Sequence, residues 1–199
     1  MIYLITNRHL VSEKRYIEVL KQASDSGVKR IILREKDLST CNLEKLYYKI
    51  KHTISEETKI IINSNIECAK KVGAFGIHLT FNDFLNYKLT NNFIVGVSVH
   101  TLEEAIIANK KGASYILASN VYATKCKKGV EGKGVEFIRE IAHRVDTKVI
   151  ALGGITRYNF REVYDAGANG IGIMSEIMQS NNVKDLIDKL LDNNQKELP

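Results

Sequence analysis

Short apolar runs alternate with amphipathic stretches along the whole chain, and the pattern returns at intervals of roughly 20 to 30 residues. Eight of these runs are apolar at nearly every position, as expected for strands of a parallel sheet covered on both faces. They are Ile2–Thr6, Arg30–Leu33, Lys59–Ile62, Gly76–Leu79, Phe93–Val97, Ser114–Ala118, Lys148–Leu152 and Gly170–Ile173. The pattern therefore predicts eight buried strands.

Helical periodicity separates most of the predicted strands. The first helix is capped by Ser12, carries its apolar side chains on one side and ends at Gly27. Further helices are predicted over Leu43–Ile54, Asn65–Val72, Leu102–Lys110, Val135–Arg144 and Asn159–Ala166, with a final helix over about residues 183–192. Between Thr80 and Asn92 no amphipathic helix is evident, so we predict an irregular segment there.

Eight strands joined by helical connections are the number that closes a (β/α)8 TIM barrel, an α/β fold. We predict a single barrel domain over residues 1–199, with a frayed tail at 193–199. A doubly wound open sheet is the alternative, but such sheets usually carry a glycine fingerprint after the first strand. Here that position is Asn7-Arg8-His9, which favours the barrel.

Composition narrows the functional classes. The 199 residues are 44% hydrophobic and 26% charged, as in an ordinary globular domain. No apolar run approaches the roughly 20 residues of a membrane-spanning helix. The first residues also lack the positively charged region with which a secretory signal peptide begins. The cysteines Cys41, Cys68 and Cys126 show no CxxC spacing and are expected to be reduced thiols. These features predict a cytoplasmic protein with no membrane partner.

A net charge of +6 raises the question of nucleic-acid binding. The basic residues are spread along the chain, often as pairs such as Lys70-Lys71 and Lys110-Lys111 on predicted helices. A nucleic-acid surface more often clusters them on one element beside stacking aromatics. We therefore expect solvated helix faces and no nucleic-acid partner, whereas self-association into a homo-oligomer stays open.

Two strand-to-helix turns near the end of the chain have the character of an anion site. They lie in Val149–Ile155, which contains Gly153-Gly154, and in Gly170–Ser175. Glycine lets backbone N–H groups approach an anion, and a following helix start adds donors. In (β/α)8 barrels the loops after strands seven and eight often hold phosphate. The candidate phosphate-binding residues are Gly153, Gly154, Met174 and Ser175, and plain turns are the alternative.

The other candidate residues lie where predicted strands end, because parallel barrels carry their functional groups at the carboxyl ends of the strands. These positions form a cationic, hydroxyl-rich set with one obvious carboxylate, which suits a small acidic or phosphorylated ligand. The candidate substrate-binding residues are Arg34, Lys36, Asn63, Asp83, Ser98, Thr124 and Lys127.

Several of these segments together resemble the thiamin phosphate synthase/TenI superfamily of small TIM barrels. The resembling segments are Leu33-Arg-Glu-Lys36, Gly76-Ile-His-Leu79, Gly96-Val-Ser98 with His100-Thr101, the loop after the sixth strand, and Leu152-Gly-Gly-Ile155. They follow the family's order and spacing from about Ile2 to Met178. The resemblance implies a small phosphorylated thiazole as the substrate, and one of two activities.

The first activity joins hydroxymethylpyrimidine diphosphate to thiazole phosphate, with Mg2+ helping pyrophosphate to leave. That branch has glutamine where this chain has Ile32, and an aspartate where this chain has Ser64. Asp83 matches the remaining acidic ligand. Because Mg2+ usually takes one or two carboxylates plus substrate phosphates, these differences disfavour the synthase.

The second activity is the metal-free aromatisation of a thiazole carboxylate phosphate by a TenI-type tautomerase. The loop Val121–Gly129, with its Cys126-Lys-Lys-Gly run, resembles this branch. The branch's acid/base histidine corresponds to Asn120, and an amide does not exchange protons near neutral pH. The resemblance thus predicts a tautomerase without metal or other cofactor, whose candidate catalytic residues are Asn120, His100 and Lys36. The alternatives are the synthase, with Mg2+, and a non-catalytic regulator that binds thiazole or thiamin phosphate.

Roles within this predicted site follow from charge. Arg34 and Lys36 would hold the substrate carboxylate, and Thr124 and Lys127 would close over its phosphate. His78 is expected to be a packed, hydrogen-bonded histidine. Asp83 is expected to cap a loop or orient the ligand, and Cys126 lacks the neighbouring base that a nucleophile needs.

Overall fold

Parallel strands β1 to β8 form a closed barrel in which each strand pairs with the next along the sequence. The computed structural model describes residues 1–90, 93–123 and 131–192. The strands are β1 Ile2–Ile5, β2 Arg30–Leu33, β3 Lys59–Asn63, β4 Gly76–Leu79, β5 Ile94–Val99, β6 Tyr115–Ser119, β7 Lys148–Leu152 and β8 Gly170–Ile173. The tail at 193–199 and the candidates Thr124 and Lys127 lie outside the described residues.

β8 closes the ring because it pairs on both sides. Ile171 is opposite Ile2 of β1, and Gly170 is opposite Ile150 of β7. An open sheet would instead leave two edge strands with one partner each. The predicted TIM barrel is confirmed.

Helices occupy the connections between strands, and the last two follow β8. They are α1 Glu13–Asp25, α2 Thr40–Lys51, α3 Ile66–Lys71, α4 Phe81–Asn86, α5 Leu102–Lys111, α6 Gly134–Arg144, α7 Phe160–Asp165, α8 Ser175–Met178 and α9 Val183–Leu191. α2 starts three residues before the predicted Leu43 because the Ser39 hydroxyl accepts the N–H of Asn42 and caps it. Within the described ranges, no helix is both long and apolar enough to cross a membrane.

The prediction of an irregular segment from Thr80 to Asn92 was wrong. The Thr80 side chain accepts the N–H of Asp83 and caps α4, which is six residues long. Two turns are too short for helical periodicity to register in the sequence. The helix is anchored by Phe84, which is fully buried, so a tertiary contact decides its existence.

Inward-facing side chains fill the barrel. Because neighbouring side chains along a strand point to opposite faces, Tyr3 of β1 belongs to the interior cluster while Ile2 and Leu4 pack in the layer between strands and helices. The interior cluster consists of Tyr3, Ile5, Ile32, Ile61, Tyr115, Leu117 and Ile150. A Cβ on Gly96 would lie 1.9 Å from the ring of Tyr115, so this glycine makes room for that ring against β5.

Candidate active site

A buried carboxylate joins the carboxyl ends of β1 and β2. Glu35 is 5% exposed, and its Oε1 accepts hydrogen bonds from the hydroxyls of Thr6 at 2.7 Å and Tyr16 at 3.0 Å. The backbone N–H of Arg8 donates to both carboxylate oxygens at 3.1 Å. A buried charge is tolerated when it is surrounded by donors in this way. The network therefore fixes the first two strand ends relative to each other and to α1.

Arg34 follows β2 directly and is tied to the same network. Its backbone N–H donates to Thr6 Oγ1 at 3.0 Å. The pKa of His78 is lowered to about 3, first by burial of the imidazole and then by the positive charge of Arg34. The positive charge of Arg34 therefore disfavours protonation of His78 on β4. Lys36, by contrast, is exposed in the turn that follows β2.

His78 links β4 to β5 and β6. Its Nδ1 lies 3.0 Å from the hydroxyl of Tyr115, and its Nε2 lies 2.8 Å from Ser98 Oγ. The ring is 3% exposed and stacks on Tyr115 with the ring centroids 5.6 Å apart. With a pKa of about 3 it is neutral at physiological pH. His78 is therefore a packed, hydrogen-bonded histidine, as expected from the sequence.

Asn63 and Asp83 follow two neighbouring strands. Asn63 ends β3, opposite His78 of β4, and its amide donates to Ser64 Oγ at 3.0 Å. Asp83 lies in the first turn of α4, where its exposed carboxylate accepts the hydroxyl of Thr80 at 2.7 Å. Across the described residues, no cluster of three His, Cys, Asp or Glu side chains could hold a metal. A cation at this edge would therefore need oxygens from a bound phosphate.

His100 lies beyond β5 and contacts the end of β6. Its Nδ1 is 2.9 Å from the carbonyl oxygen of Ser119. A carbonyl only accepts, so this nitrogen carries the hydrogen and Nε2 is the acceptor of the neutral ring. The ammonium of Lys133 donates to the carbonyl of His100. The exposed imidazole is thereby held beside the loop after β6.

Asn120 packs against the twin-glycine bend that follows β7. Its amide donates at 3.4 Å to the carbonyls of Tyr122 and Glu131, and the residue is 3% exposed. A Cβ on Gly153 would lie 2.6 Å from the Cβ of Asn120. Gly153 and Gly154 have φ angles of 111° and 64°, a region that favours glycine. Asn120 thus holds its own loop in close contact with the bend.

The ends of β7 and β8 lie side by side. Leu152 is opposite Gly172 in this pair, and Ser175 begins α8 two residues after β8 ends. Met174 packs against the interior cluster. Glu176 accepts the backbone N–H of Arg157 at 3.2 Å, which ties α8 to the loop that follows the glycine bend. The four candidate phosphate residues therefore belong to adjacent strand ends.

Sequence reasoning missed two residues that organise this end of the barrel. Glu35 stood between two cations in the Leu33–Lys36 motif, and an acidic residue flanked by candidate anion-binding groups was the available signal. Tyr115 was part of an apolar strand, and nothing in its flanking sequence distinguished it. Its contact with His78 exists only because β4, β5 and β6 are consecutive in the ring.

Comparisons with known proteins agree along nearly the whole chain. A family model described as thiamine monophosphate synthase matches residues 2–177. Thiamine-phosphate synthase from Pyrococcus abyssi is 35% identical over 193 residues, which are 95% of this chain and 92% of that protein. The protein of the same name from Clostridium acetobutylicum is 33% identical over 92% of this chain and 90% of its own length.

Solved structures give the same result. Thiamine phosphate pyrophosphorylase from Pyrococcus furiosus superposes with a TM-score of 0.84 at 30% identity, covering 95% of this chain and 92% of that one. A 3-hexulose-6-phosphate synthase superposes with a TM-score of 0.74 over 95% of this chain and 97% of its own, but at 14% identity it shows the fold alone. With a family model over residues 2–177 and relatives above 30% identity along their lengths, the chain belongs to the thiamine monophosphate synthase/TenI family.

Proposed function

We propose that this protein is a thiamine-phosphate synthase, a transferase that joins hydroxymethylpyrimidine diphosphate to thiazole phosphate and releases pyrophosphate. The observation that carries the proposal is the 35% identity to the Pyrococcus abyssi protein of that name, spread over 95% of the chain. From the sequence alone the synthase was the alternative, and the tautomerase was the main prediction.

The relatives lend no support to the tautomerase prediction. That prediction depended on the Cys126-Lys-Lys-Gly run of one loop and on Ile32 and Ser64, which replace two residues of the synthase branch. Residues 124–130 lie outside the described part of the structure. Similarity over 193 residues outweighs one loop, because loops vary more among relatives than the elements they connect. Asn120 is also no obstacle to a synthase, since joining the two substrates does not require it to exchange a proton.

The two substrates each carry an anionic group, and the strand ends offer a place for each. Arg34 is half-buried and held through its backbone by Thr6, so its guanidinium is suited to the diphosphate. Lys36 would add charge from the neighbouring turn. The bend at Gly153-Gly154 and the start of α8 at Ser175 would hold the thiazole phosphate through backbone N–H groups. Met174, Asn63 and Ser98 complete the proposed lining.

The residues present suit Mg2+ with a reduced ligand set. Mg2+ is often held by one or two carboxylates together with substrate phosphates, and the exposed Asp83 supplies one carboxylate at the β4 end. Asp83 would hold the ion. Ser64, which stands where the synthase branch has a second aspartate, follows the adjacent strand β3. Bound there, Mg2+ would neutralise charge on the departing pyrophosphate. We propose no other cofactor.

The reaction forms a bond between the thiazole ring nitrogen and the pyrimidine methylene carbon and breaks the bond from that carbon to the diphosphate oxygen. The electron pair of the broken bond leaves with pyrophosphate. Arg34 contributes by pairing with the negative charge that grows on the leaving group, an effect that is strongest where water is excluded. The buried Glu35 network contributes by fixing the backbone that carries Arg34. The rest of the rate acceleration would come from holding both substrates in the geometry of the reaction.

The test is a direct assay of the purified full chain with both substrates and Mg2+, in which thiamine phosphate and pyrophosphate are measured together. Equal formation of the two products is expected. Absence of both, with thiazole phosphate bound in a calorimetric titration, would contradict the synthase and support the non-catalytic regulator. Aromatisation of the thiazole carboxylate phosphate without metal would instead restore the tautomerase.

A further inference from the structure

Three hydrogen-bonding groups form an unbroken line from the barrel interior to the ends of its strands. The hydroxyl of Tyr115 on β6 lies 3.0 Å from His78 Nδ1 on β4, and His78 Nε2 lies 2.8 Å from Ser98 Oγ on β5. Tyr115 is 1% exposed and His78 is 3% exposed, whereas Ser98 is only partly buried. The line thus begins in the core and ends at a partly buried residue one position before the end of β5.

The direction of the first hydrogen bond follows from burial. Among the residues that the structure describes, His78 Nδ1 is the one hydrogen-bond partner of the Tyr115 hydroxyl. If Nδ1 were the donor, the phenol hydrogen would be buried without an acceptor, which is costly. If the phenol donates, its hydrogen is satisfied and Nδ1 acts as the acceptor.

The second hydrogen bond then has only one possible direction. A neutral imidazole carries one hydrogen, so an accepting Nδ1 leaves it on Nε2. Burial and the Arg34 charge keep the pKa of His78 low, which agrees with a neutral ring. The Nε2–H group must donate to Ser98 Oγ, and the Ser98 hydroxyl must direct its own hydrogen elsewhere.

We propose that Tyr115 fixes His78 as the Nε2–H tautomer and thereby commits Ser98 to act as a hydrogen-bond donor toward a ligand at the barrel mouth. Tyr115 and His78 are positioning residues, since they act through Ser98. The matching ligand group is an acceptor, such as a ring nitrogen or a phosphate oxygen. The effect on turnover rests on the proposed function, whereas the tautomer does not.

The tautomer is measurable in the full chain without substrate. Nitrogen NMR of protein labelled with 15N-histidine distinguishes the two neutral forms, because protonated and unprotonated ring nitrogens have well separated shifts. The other histidines, His9, His52, His100 and His143, are all exposed, so replacing each by glutamine assigns the His78 signal by elimination. We expect hydrogen on Nε2 alone at neutral pH. Hydrogen on Nδ1 would overturn the proposal.

Two matched variants test the cause. Tyr115→Phe removes the hydroxyl that we assign as the donor to His78, and Tyr3→Phe removes a buried hydroxyl from the ring that packs on Tyr115 at 5.0 Å. We expect a detectable Nδ1–H population in Tyr115→Phe and none in Tyr3→Phe. Tyr115→Phe with an unchanged tautomer would overturn the proposal. If that variant fails to fold, the wild-type spectrum still shows whether the hydrogen of His78 is on Nε2 or on Nδ1.

Kinetics provide the second readout. Loss of one oriented hydrogen bond predicts a fall of about fivefold in kcat/KM for Tyr115→Phe, against less than about twofold for Tyr3→Phe. Ser98→Ala should lower kcat/KM at least as much while His78 keeps its Nε2–H form. Equal kinetics for the two tyrosine variants would overturn the proposal. A wild type that makes no thiamine phosphate would refute the proposed function, and the tautomer would be tested separately by NMR.

Discussion

Glu35 accepts a hydrogen bond from the hydroxyl of Thr6 at 2.7 Å, and this contact joins the ends of β1 and β2. Thr6 Oγ1 in turn accepts the backbone N–H of Arg34 at 3.0 Å. One buried carboxylate therefore sets the position of the backbone that carries the proposed diphosphate-binding arginine. A residue that touches no ligand is expected to influence both stability and substrate binding.

Glu35→Gln tests this network. The substitution keeps the shape of the side chain but replaces an acceptor oxygen with an NH2 group facing donors, so we expect a loss of about 1–3 kcal/mol in the free energy of unfolding. Glu57→Gln is the matched control, because Glu57 is an exposed glutamate paired with Lys29 at the surface. It should change stability by less than about 0.5 kcal/mol. Urea unfolding measures both, and equal effects would contradict a structural role for Glu35.

Gly96→Ala tests the packing of Tyr115. The added Cβ would lie 1.9 Å from the Tyr115 ring, so we expect a destabilisation of about 3 kcal/mol from overpacking. Gly172→Ala is the control, because its Cβ would first meet flexible side-chain ends at 3.3 Å and should cost less. A double-mutant cycle with Tyr115→Ala should show that the Gly96 penalty shrinks when the ring is absent. An unchanged penalty would mean that another contact is responsible.

His78 predicts a pH dependence of stability. Its pKa is about 3 in the folded protein against an ordinary 6.5, so between these values the unfolded chain binds the additional proton. Its contribution is fully present above pH 6.5, and stability falls below that pH by up to about 1.4 kcal/mol per pH unit. Unfolding of the wild type and His78→Gln should be compared from pH 7 to pH 5, with the exposed His143→Gln as control. The acid-dependent loss should be smaller only in His78→Gln, and parallel slopes would contradict the prediction.

Arg34→Met tests the proposed diphosphate site. The substitution retains much of the side-chain volume but removes the charge, and charged hydrogen bonds of this kind predict a loss of about 10- to 100-fold in kcat/KM for the diphosphate substrate. Arg139→Met is the control, since Arg139 lies on α6 and pairs with Glu136 at the surface. Steady-state kinetics of the synthase reaction measure both variants. A wild-type value for Arg34→Met would remove this residue from the site.

Metal dependence follows from the proposed function. Chelation should abolish product formation and added Mg2+ should restore it, because the ion would neutralise the negative charge that grows on the departing pyrophosphate. Asp83→Asn should raise the Mg2+ concentration for half-maximal rate by at least about tenfold. Asp146→Asn is an acidic control, since Asp146 lies in the turn between α6 and the amino end of β7. Full activity in chelator would support a metal-free reaction.

Much of the fold was predictable because it depends on local pattern. Eight nearly continuous apolar runs can be buried only in a sheet covered on both faces, and the spacing between them leaves room for helices. Capping residues such as Ser12 and Thr101 marked helix starts correctly, since a cap is a bond between residues three positions apart. α4 was missed because six residues carry too little periodic signal and Phe84 is held by tertiary packing.

The candidate site divides in the same way. Sequence alone determined that Arg34, Asn63, Ser98 and the Gly153-Gly154 bend come at strand ends, because position relative to an apolar run is a local property. Only the tertiary structure decided that Glu35 is buried among donors and that Tyr115 bonds to His78, 37 positions earlier in the chain. Those contacts depend on which strands the closed ring makes neighbours and on which faces point inward. Neither is encoded within any one segment.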